Sequence, residues 1–244
     1  MRNTYFKFKE FTVHQSRSAM KVTTDSCAFG AWVATDIQNS IYDARISSST
    51  VKVCDIGTGT GLLSLMIAQK NDVMVDAIEI NGDAVVETKE NFAASKWPHR
   101  LHAHHQDVRL VKARASYDFV VANPPFHEKQ LLSPSKARQE AHHSGSLTLA
   151  GLFEIMDQIL TPTGSAYVLL PFYREEEGVQ QGARCNLFIN KAVHLKPTLD
   201  HQPIRFFLKF IREETHAVNR EELIIKEHGQ YTKDFFDLLS DYYL

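Results

Sequence analysis

Val51-Lys52-Val53-Cys54-Asp55-Ile56 runs without a break into Gly57-Thr58-Gly59-Thr60-Gly61 and then into the apolar run Leu62 to Gln69. A short β-branched stretch, three glycines spaced two apart and a following apolar run read as strand, tight turn and helix. Glycine lets the backbone turn sharply and lie against a ligand, and the helix start beyond it points its free N–H groups outward. A strand that feeds a helix across such a turn belongs to an α/β sheet, because parallel neighbours need a helical crossover between them. The spacing is G-x-G-x-G. A dinucleotide fingerprint, G-x-G-x-x-G, would need glycine where Leu62 stands.

The rest of the chain continues the alternation. Val73–Ile80 reads as a second strand and carries Glu79 near its end, where a carboxylate can accept from both hydroxyls of a ribose. A helix from about Asp83 to Ser95 leads to a third strand, Arg100–Asp107, closed by Asp107. His102, His104 and His105 do not make a metal cluster: on a strand His102 and His104 share a face while His105 points away, and no cysteine is near in sequence. Tyr117–Ala122 is the fourth strand, Leu147–Leu160 an amphipathic helix closed by Thr161-Pro162-Thr163-Gly164, and Ser165–Pro171 the fifth strand. Phe188–Leu195 and Ile204–Ile211 read as a hairpin that ends a seven-stranded, mostly parallel sheet with helices on both faces. Tyr231–Tyr242 reads as a C-terminal helix.

The fourth strand stops at Asn123-Pro124-Pro125-Phe126. Two prolines fix φ near −65°, remove two donors and push Asn123 out of helical geometry, so its side chain leaves the strand end on a stiff support. Ligands of open α/β sheets bind beyond the carboxyl ends of the strands. An amide oxygen of Asn123, a bare carbonyl of Pro124 and the face of Phe126 at that edge suit an exocyclic amino group on a flat ring. Such a nitrogen shares its lone pair with the ring, and two acceptors on its N–H bonds hold it in the pyramidal shape it needs to attack. A plain turn after a strand is the structural alternative.

Before the glycine loop, residues 1–21 carry Arg2, Lys7, Lys9, Arg17 and Lys21 against Glu10, interleaved with Phe6, Phe8 and Phe11. The alternation fits an edge strand or hairpin, and the basic, aromatic content fits nucleic-acid contact. Ser26–Ala34 reads as a helix with Thr and Asp at its start as caps. The 127–146 stretch holds Lys129, Lys136 and Arg138 beside the site, as candidates for substrate contact. A formal net charge of −2 offers no global field for nucleic acid, so an RNA partner would be met by local patches. No apolar run approaches a membrane span and the first residues lack an apolar signal core. Cys27, Cys54 and Cys185 read as free thiols. A cytoplasmic, metal-free protein is expected, with a monomer favoured.

The series of strand, G-x-G-x-G, two acids and N-P-P-F resembles the amino-directed class I S-adenosylmethionine-dependent methyltransferases across residues 51 to about 212. Phe11-Thr12-Val13-His14-Gln15-Ser16-Arg17-Ser18-Ala19-Met20-Lys21-Val22-Thr23-Thr24-Asp25, followed by Gly30-Ala31-Trp32, is similar to the front signature of the bacterial family that methylates N6 of adenine 37 in a valine tRNA. The resemblance implies a Rossmann-like catalytic domain over 51–244 and a cap segment over 1–50. It implies S-adenosylmethionine as cofactor, with Gly57, Thr58, Gly59 and Gly61 along its methionine and ribose, Asp55 nearby, Glu79 on the ribose and Asp107 on the adenine amine. Lys21, Thr24 and Asp25 would cap the pocket, and Asn123, Pro124, Pro125 and Phe126 would receive the target adenine of a tRNA, with Asn123 also near the cofactor. Thr23 stands where the family often has glycine and Phe126 where tyrosine is common. Asn-Pro-Pro-Phe-His also resembles guanine-N2 ribosomal RNA methyltransferases. A protein glutamine methyltransferase, an NAD-linked oxidoreductase and a non-catalytic RNA-binding module stay open beside these.

Overall fold

The computed structural model describes residues 3–44, 50–124, 147–214 and 217–243. Pro125, Phe126, Lys129, Lys136 and Arg138 lie outside the described residues.

The sheet is built around the strand that feeds the glycine turn. In chain order the elements are β1 (Tyr5–Lys7), β2 (Thr12–His14), α1 (Thr24–Ala44), β3 (Lys52–Ile56), α2 (Leu62–Lys70), β4 (Met74–Glu79), α3 (Gly82–Ala93), β5 (Leu101–His105) and β6 (Tyr117–Ala122). Then come α4 (Leu149–Ile159), β7 (Leu160–Pro171), α5 (Glu175–Arg184), β8 (Phe188–Lys196), β9 (Arg205–Ile211), β10 (Asn219–Ile224), the short pair β11 (Lys226–Glu227) and β12 (Gln230–Tyr231), and α6 (Lys233–Leu239). The main sheet has the order β10-β8-β9-β7-β6-β3-β4-β5. From β3 the chain steps outward through β4 to β5 and then returns to the other side of β3 as β6, so the order reverses between β3 and β6. In open α/β sheets that reversal opens a crevice at the carboxyl ends of the two strands.

The sheet has eight strands where seven were expected. The β8–β9 hairpin does not end it: β9 inserts antiparallel between β7 and β8, and β10 adds a further strand parallel to β8. Thr161–Gly164, read as the close of a helix, belongs to β7, whose register against β6 shifts between the Tyr117–Leu160 and Phe119–Ser165 pairs.

Alternate residues along each central strand face opposite sides, so each strand feeds two cores. Val53, Phe119, Val121, Tyr167, Leu169 and Phe207 pack with α1, α2 and α6 on one face. Cys54, Val120, Ala122, Ala166, Val168 and Leu208 pack with α4 on the other. The amino-terminal β1–β2 hairpin is a sheet of its own and joins the first core through Phe8, Phe11 and Val13, all buried. Phe8 and Phe11 stack with centroids 4.5 Å apart, so these two rings of the basic arm are spent on packing. Among the described residues no helix is long and apolar enough to cross a membrane.

Candidate active site

Parallel pairing of β3 with β6 puts Ile56 opposite Ala122. The next residues, Gly57 and Asn123, therefore leave the sheet side by side at its carboxyl edge. Gly57, Gly59 and Gly61 have φ of 70°, 59° and 82°, a region that L side chains rarely adopt. A Cβ at Gly57 or Gly59 would meet nothing within 4 Å, so the turn presents bare backbone to open space. At Gly61 the reason is contact: a Cβ would lie 2.6 Å from Phe92 of α3.

Two acids brace the turn. Asp55 is fully buried at the end of β3, and its Oδ2 accepts from the hydroxyls of Thr58 (2.6 Å) and Ser64 (2.7 Å). Its Oδ1 is buried with no partner among the described residues. Burial pushes its carboxyl up to about 6, against the two hydroxyl donors that pull it down. Glu79, at the end of β4, accepts from the amides of Gly59 (3.0 Å) and Asn81 (2.9 Å), which draws the turn toward the second strand. Each carboxylate oxygen of Glu79 keeps a further lone pair. Asp107 follows β5 and caps the 3-10 turn Val108–Leu110, but most of its bonding goes to Arg109, whose Nε and Nη2 lie 3.0 and 2.6 Å from its Oδ2. The guanidinium holds that carboxyl below the usual range.

Asn123 is half-buried, and its Nδ2 lies 3.8 Å from Sδ of Met20. Among the described residues no donor reaches its Oδ1. Met20 belongs to the segment between β2 and α1, so that segment folds back over the strand ends. Lys21 does not point a free ammonium into the crevice: its Nζ donates to the carbonyls of Gln15 and Ser18 and closes the segment on itself. Thr23 precedes α1 and exchanges bonds with Ser26, whose Oγ accepts from the Thr23 amide at 3.0 Å, a capping box that explains a threonine there. Thr24 opens the helix, and Asp25 lies 2.8 Å from Nε of Arg205 at the start of β9, an ion pair across the same edge.

Three residues of α3 that sequence reasoning passed over hold this arrangement together. Glu87 Oε1 accepts from the amide of Arg17 (2.9 Å) and the hydroxyl of Ser16 (3.0 Å), and Oε2 from the amide of Ser18 (2.8 Å). Burial raises its pKa, but the donors outweigh it and the net shift is downward. Asn91 donates to the carbonyls of His14 and Thr60, both at 2.9 Å, and accepts from the His14 amide. Thr88 donates to the Gly59 carbonyl at 2.6 Å. The signal was available as polar residues at helical spacing, 87, 88 and 91, on a helix whose other polar positions are solvent-facing. The histidines of β5 are used differently: His104 lies 2.8 Å from Asp76 Oδ1, and His105 3.1 Å from the Ile80 carbonyl. Among the described residues no group of three or more His, Cys, Asp or Glu is placed to hold a metal ion.

This edge suits a long, polar, partly cationic ligand. Bare glycine backbone lies beside an unpartnered buried carboxylate oxygen at Asp55, with an acid at the next strand end, which matches an amino-acid ammonium and a ribose. S-adenosylmethionine carries both.

Comparison with known proteins agrees. Residues 19–149 match the methyltransferase small domain. The chain is 36% identical over 258 residues to the tRNA1(Val) (adenine(37)-N6)-methyltransferase of Dyadobacter fermentans, covering 100% of this chain and 98% of that one. It is 34% identical to the protein of that name from Cytophaga hutchinsonii, covering 100% and 99%. With that from Proteus mirabilis it shares 33%, covering 100% and 95%. In fold it is similar to the crystal structure of a predicted O-methyltransferase from Agrobacterium tumefaciens, with a TM-score of 0.62 at 15% identity over 80% of this chain and 91% of that one. Geranyl diphosphate methyltransferase in complex with GPP and sinefungin has a TM-score of 0.53 at 10% identity, over 73% and 78%.

Proposed function

We propose, from the premise that the chain belongs to the bacterial tRNA1(Val) (adenine(37)-N6)-methyltransferase family, that it transfers a methyl group from S-adenosylmethionine to the N6 amine of adenine 37 in a valine tRNA. The observation that carries this reading is the register of β3 with β6, which sets the glycine turn and Asn123 next to one another at the switch point.

When bound, the cofactor supplies a sulfonium methyl group. The chain's own residues do the rest. The backbone of Gly57, Thr58, Gly59 and Gly61 would lie along the cofactor's methionine and ribose, Asp55 would offer its oxygen to the ammonium, and Glu79 would accept from the ribose hydroxyls. Asp107 takes the cofactor's adenine amine if Arg109 gives up part of its hold. Asn123 Oδ1 and the Pro124 carbonyl accept the two N6–H bonds of the flipped target base. That removes the lone pair from conjugation with the ring and aims it at the methyl carbon. A bound cofactor would supply its methyl group to that lone pair, the new N6–C bond replacing its S–C bond, and the methylated nitrogen, held by Asn123 and Pro124, would release its proton to water. No dedicated base is needed. Lys21, Thr24 and Asp25 keep the front segment over the crevice, Phe126 offers a ring for the base, and Lys129, Lys136 and Arg138 meet the RNA.

Incubating the protein with labelled cofactor and tRNA that lacks the modification, then digesting to nucleosides, is expected to give N6-methyladenosine. N2-methylguanosine, or label in protein, overturns the assignment. Asn123→Ala removes one of two transition-state acceptors and is expected to lower kcat on the order of 10²–10³-fold at saturating cofactor and tRNA. Near-full turnover in that variant would show that Asn123 does not hold the reacting amine.

A further inference from the structure

The sheet divides at the switch point. The glycine turn, Glu79 and Asp107 lie at the ends of β3, β4 and β5, so a cofactor lying on them occupies that half of the edge. A base seated at Asn123 must bring its neighbours in over the other half, beyond β7, β8 and β9.

That half carries an apolar rim. Of the twelve large hydrophobic residues exposed among the described residues, four lie there: Phe172, Tyr173, Leu199 and Ile204. Phe172 and Tyr173 follow directly on Pro171, the last residue of β7, one strand over from Asn123. They are 50% and 44% exposed, although a 3-10 turn fixes them and the Phe172 amide donates to the Ile204 carbonyl. Their rings stand at 88° with centroids 5.7 Å apart, so they offer two differently oriented faces.

Among the described residues, the arginines around them are already paired. Arg174 makes a two-point contact with Glu177 at 2.8 and 2.9 Å, Arg205 pairs with Asp25, and Arg220 pairs with Glu175. Glu175, Glu176 and Glu177 open α5 immediately beyond. A phosphate gains little here, whereas an unpaired base has a π-face that aromatic rings hold regardless of its identity.

We infer that Phe172 and Tyr173 form a stacking surface for the unpaired nucleotides next to the methylated base, an inference that rests on the RNA reading above. It assigns single-stranded loop RNA, bound by its bases, to the β7–β9 half of the edge.

The test is steady-state kinetics of the full chain on an unmodified anticodon stem-loop, with cofactor affinity measured separately. Phe172→Ala and Tyr173→Ala are each expected to raise KM for the RNA about five- to hundredfold, with kcat within about threefold and cofactor affinity unchanged. Phe172→Leu and Tyr173→Leu keep apolar bulk without a π-face and are expected to behave like the alanine variants, whereas Phe172→Tyr and Tyr173→Phe keep the KM of the parent. Leucine variants with the parent KM overturn stacking. Alanine variants within twofold of the parent overturn the surface altogether while leaving the methyltransferase reading intact. If the unsubstituted protein transfers no methyl group to any RNA, the underlying reading has failed and this inference with it.

Discussion

Among the described residues the Asp55 carboxylate accepts from two hydroxyl donors and pairs with no cation. Burial dominates, so the folded pKa rises from 3.8 to about 6, and the folded state binds the proton more tightly than the unfolded chain. Stability therefore falls as pH rises from about 4 to about 6, and the full penalty, about 3 kcal/mol from 1.36 kcal/mol per unit, is present at neutral pH. Asp55→Asn is expected to raise the denaturation midpoint at pH 7.5 and to leave it nearly unchanged at pH 4.5, read by urea titration across that range. The same substitution should weaken S-adenosylmethionine binding, because a charge-matched partner for the ammonium is lost. Glu87 works in the opposite sense. Its folded pKa lies below 4.5, so the stability it contributes is present above that value and is lost as pH falls further, and Glu87→Gln should lower stability at neutral pH and flatten the acid limb. Both acids stand in a sequence as polar letters, but only Asp55 was legible as a site residue, because it abuts the glycine turn. Glu87 was not, since its partners are backbone amides some 70 residues earlier.

Among the elements, those whose residues announce burial were legible and those held by neighbours were not. The central strands β3, β4, β6 and β7 are apolar runs, and the glycine turn marks where β3 ends. β10 reads Asn-Arg-Glu-Glu-Leu-Ile, with its first four residues exposed, and is a strand because β8 lends it a ladder and charged pairs such as Lys196–Glu222 at 3.2 Å. α5 has two glycines, which lowers its intrinsic helix propensity. They are there because a Cβ at Gly178 would lie 2.5 Å from Leu170 and one at Gly182 2.8 Å from the Leu187 carbonyl, so only a bare helix approaches the sheet that closely. α1 extends well past Ala34 through polar residues, because Asp36 accepts from Tyr167 (2.8 Å) and Lys209 (2.6 Å) and pins that part to β7 and β9. α3 has the largest functional consequence, as it ties the front segment and the glycine turn to one helix. Removing Asn91 leaves the carbonyl of Thr60 and both backbone groups of His14 without their partner. Asn91→Ala is expected to cost roughly 1–3 kcal/mol in urea unfolding and to weaken cofactor binding measurably. A variant with unchanged cofactor affinity would show that the turn keeps its shape without the tether.

Across the whole molecule the amino-terminal hairpin and the segment after α6 meet beside this assembly. Tyr242 is fully buried, its hydroxyl donates to the Met66 carbonyl of α2 at 3.0 Å, and its carbonyl accepts from the Lys9 amide at 2.9 Å. Tyr243 lies with its ring 6.0 and 6.2 Å from Phe6 and Phe8, so the tail wedges the hairpin against α1 and α2. The sequence shows an aromatic C-terminus; that it closes on an aromatic N-terminus is a property of the folded path and has no local signature. Because the hairpin leads into the segment over Asn123, the clasp bears on the site from a distance. Tyr242→Ala opens a large cavity and is expected to cost about 3–5 kcal/mol, whereas Tyr242→Phe loses only the bond to Met66, about 1 kcal/mol. If the clasp also sets the position of the front segment, Tyr242→Ala should raise KM for tRNA and leave Tyr242→Phe near the parent, at a temperature where both remain folded. Equal KM values with unequal stabilities would confine the clasp to holding the fold.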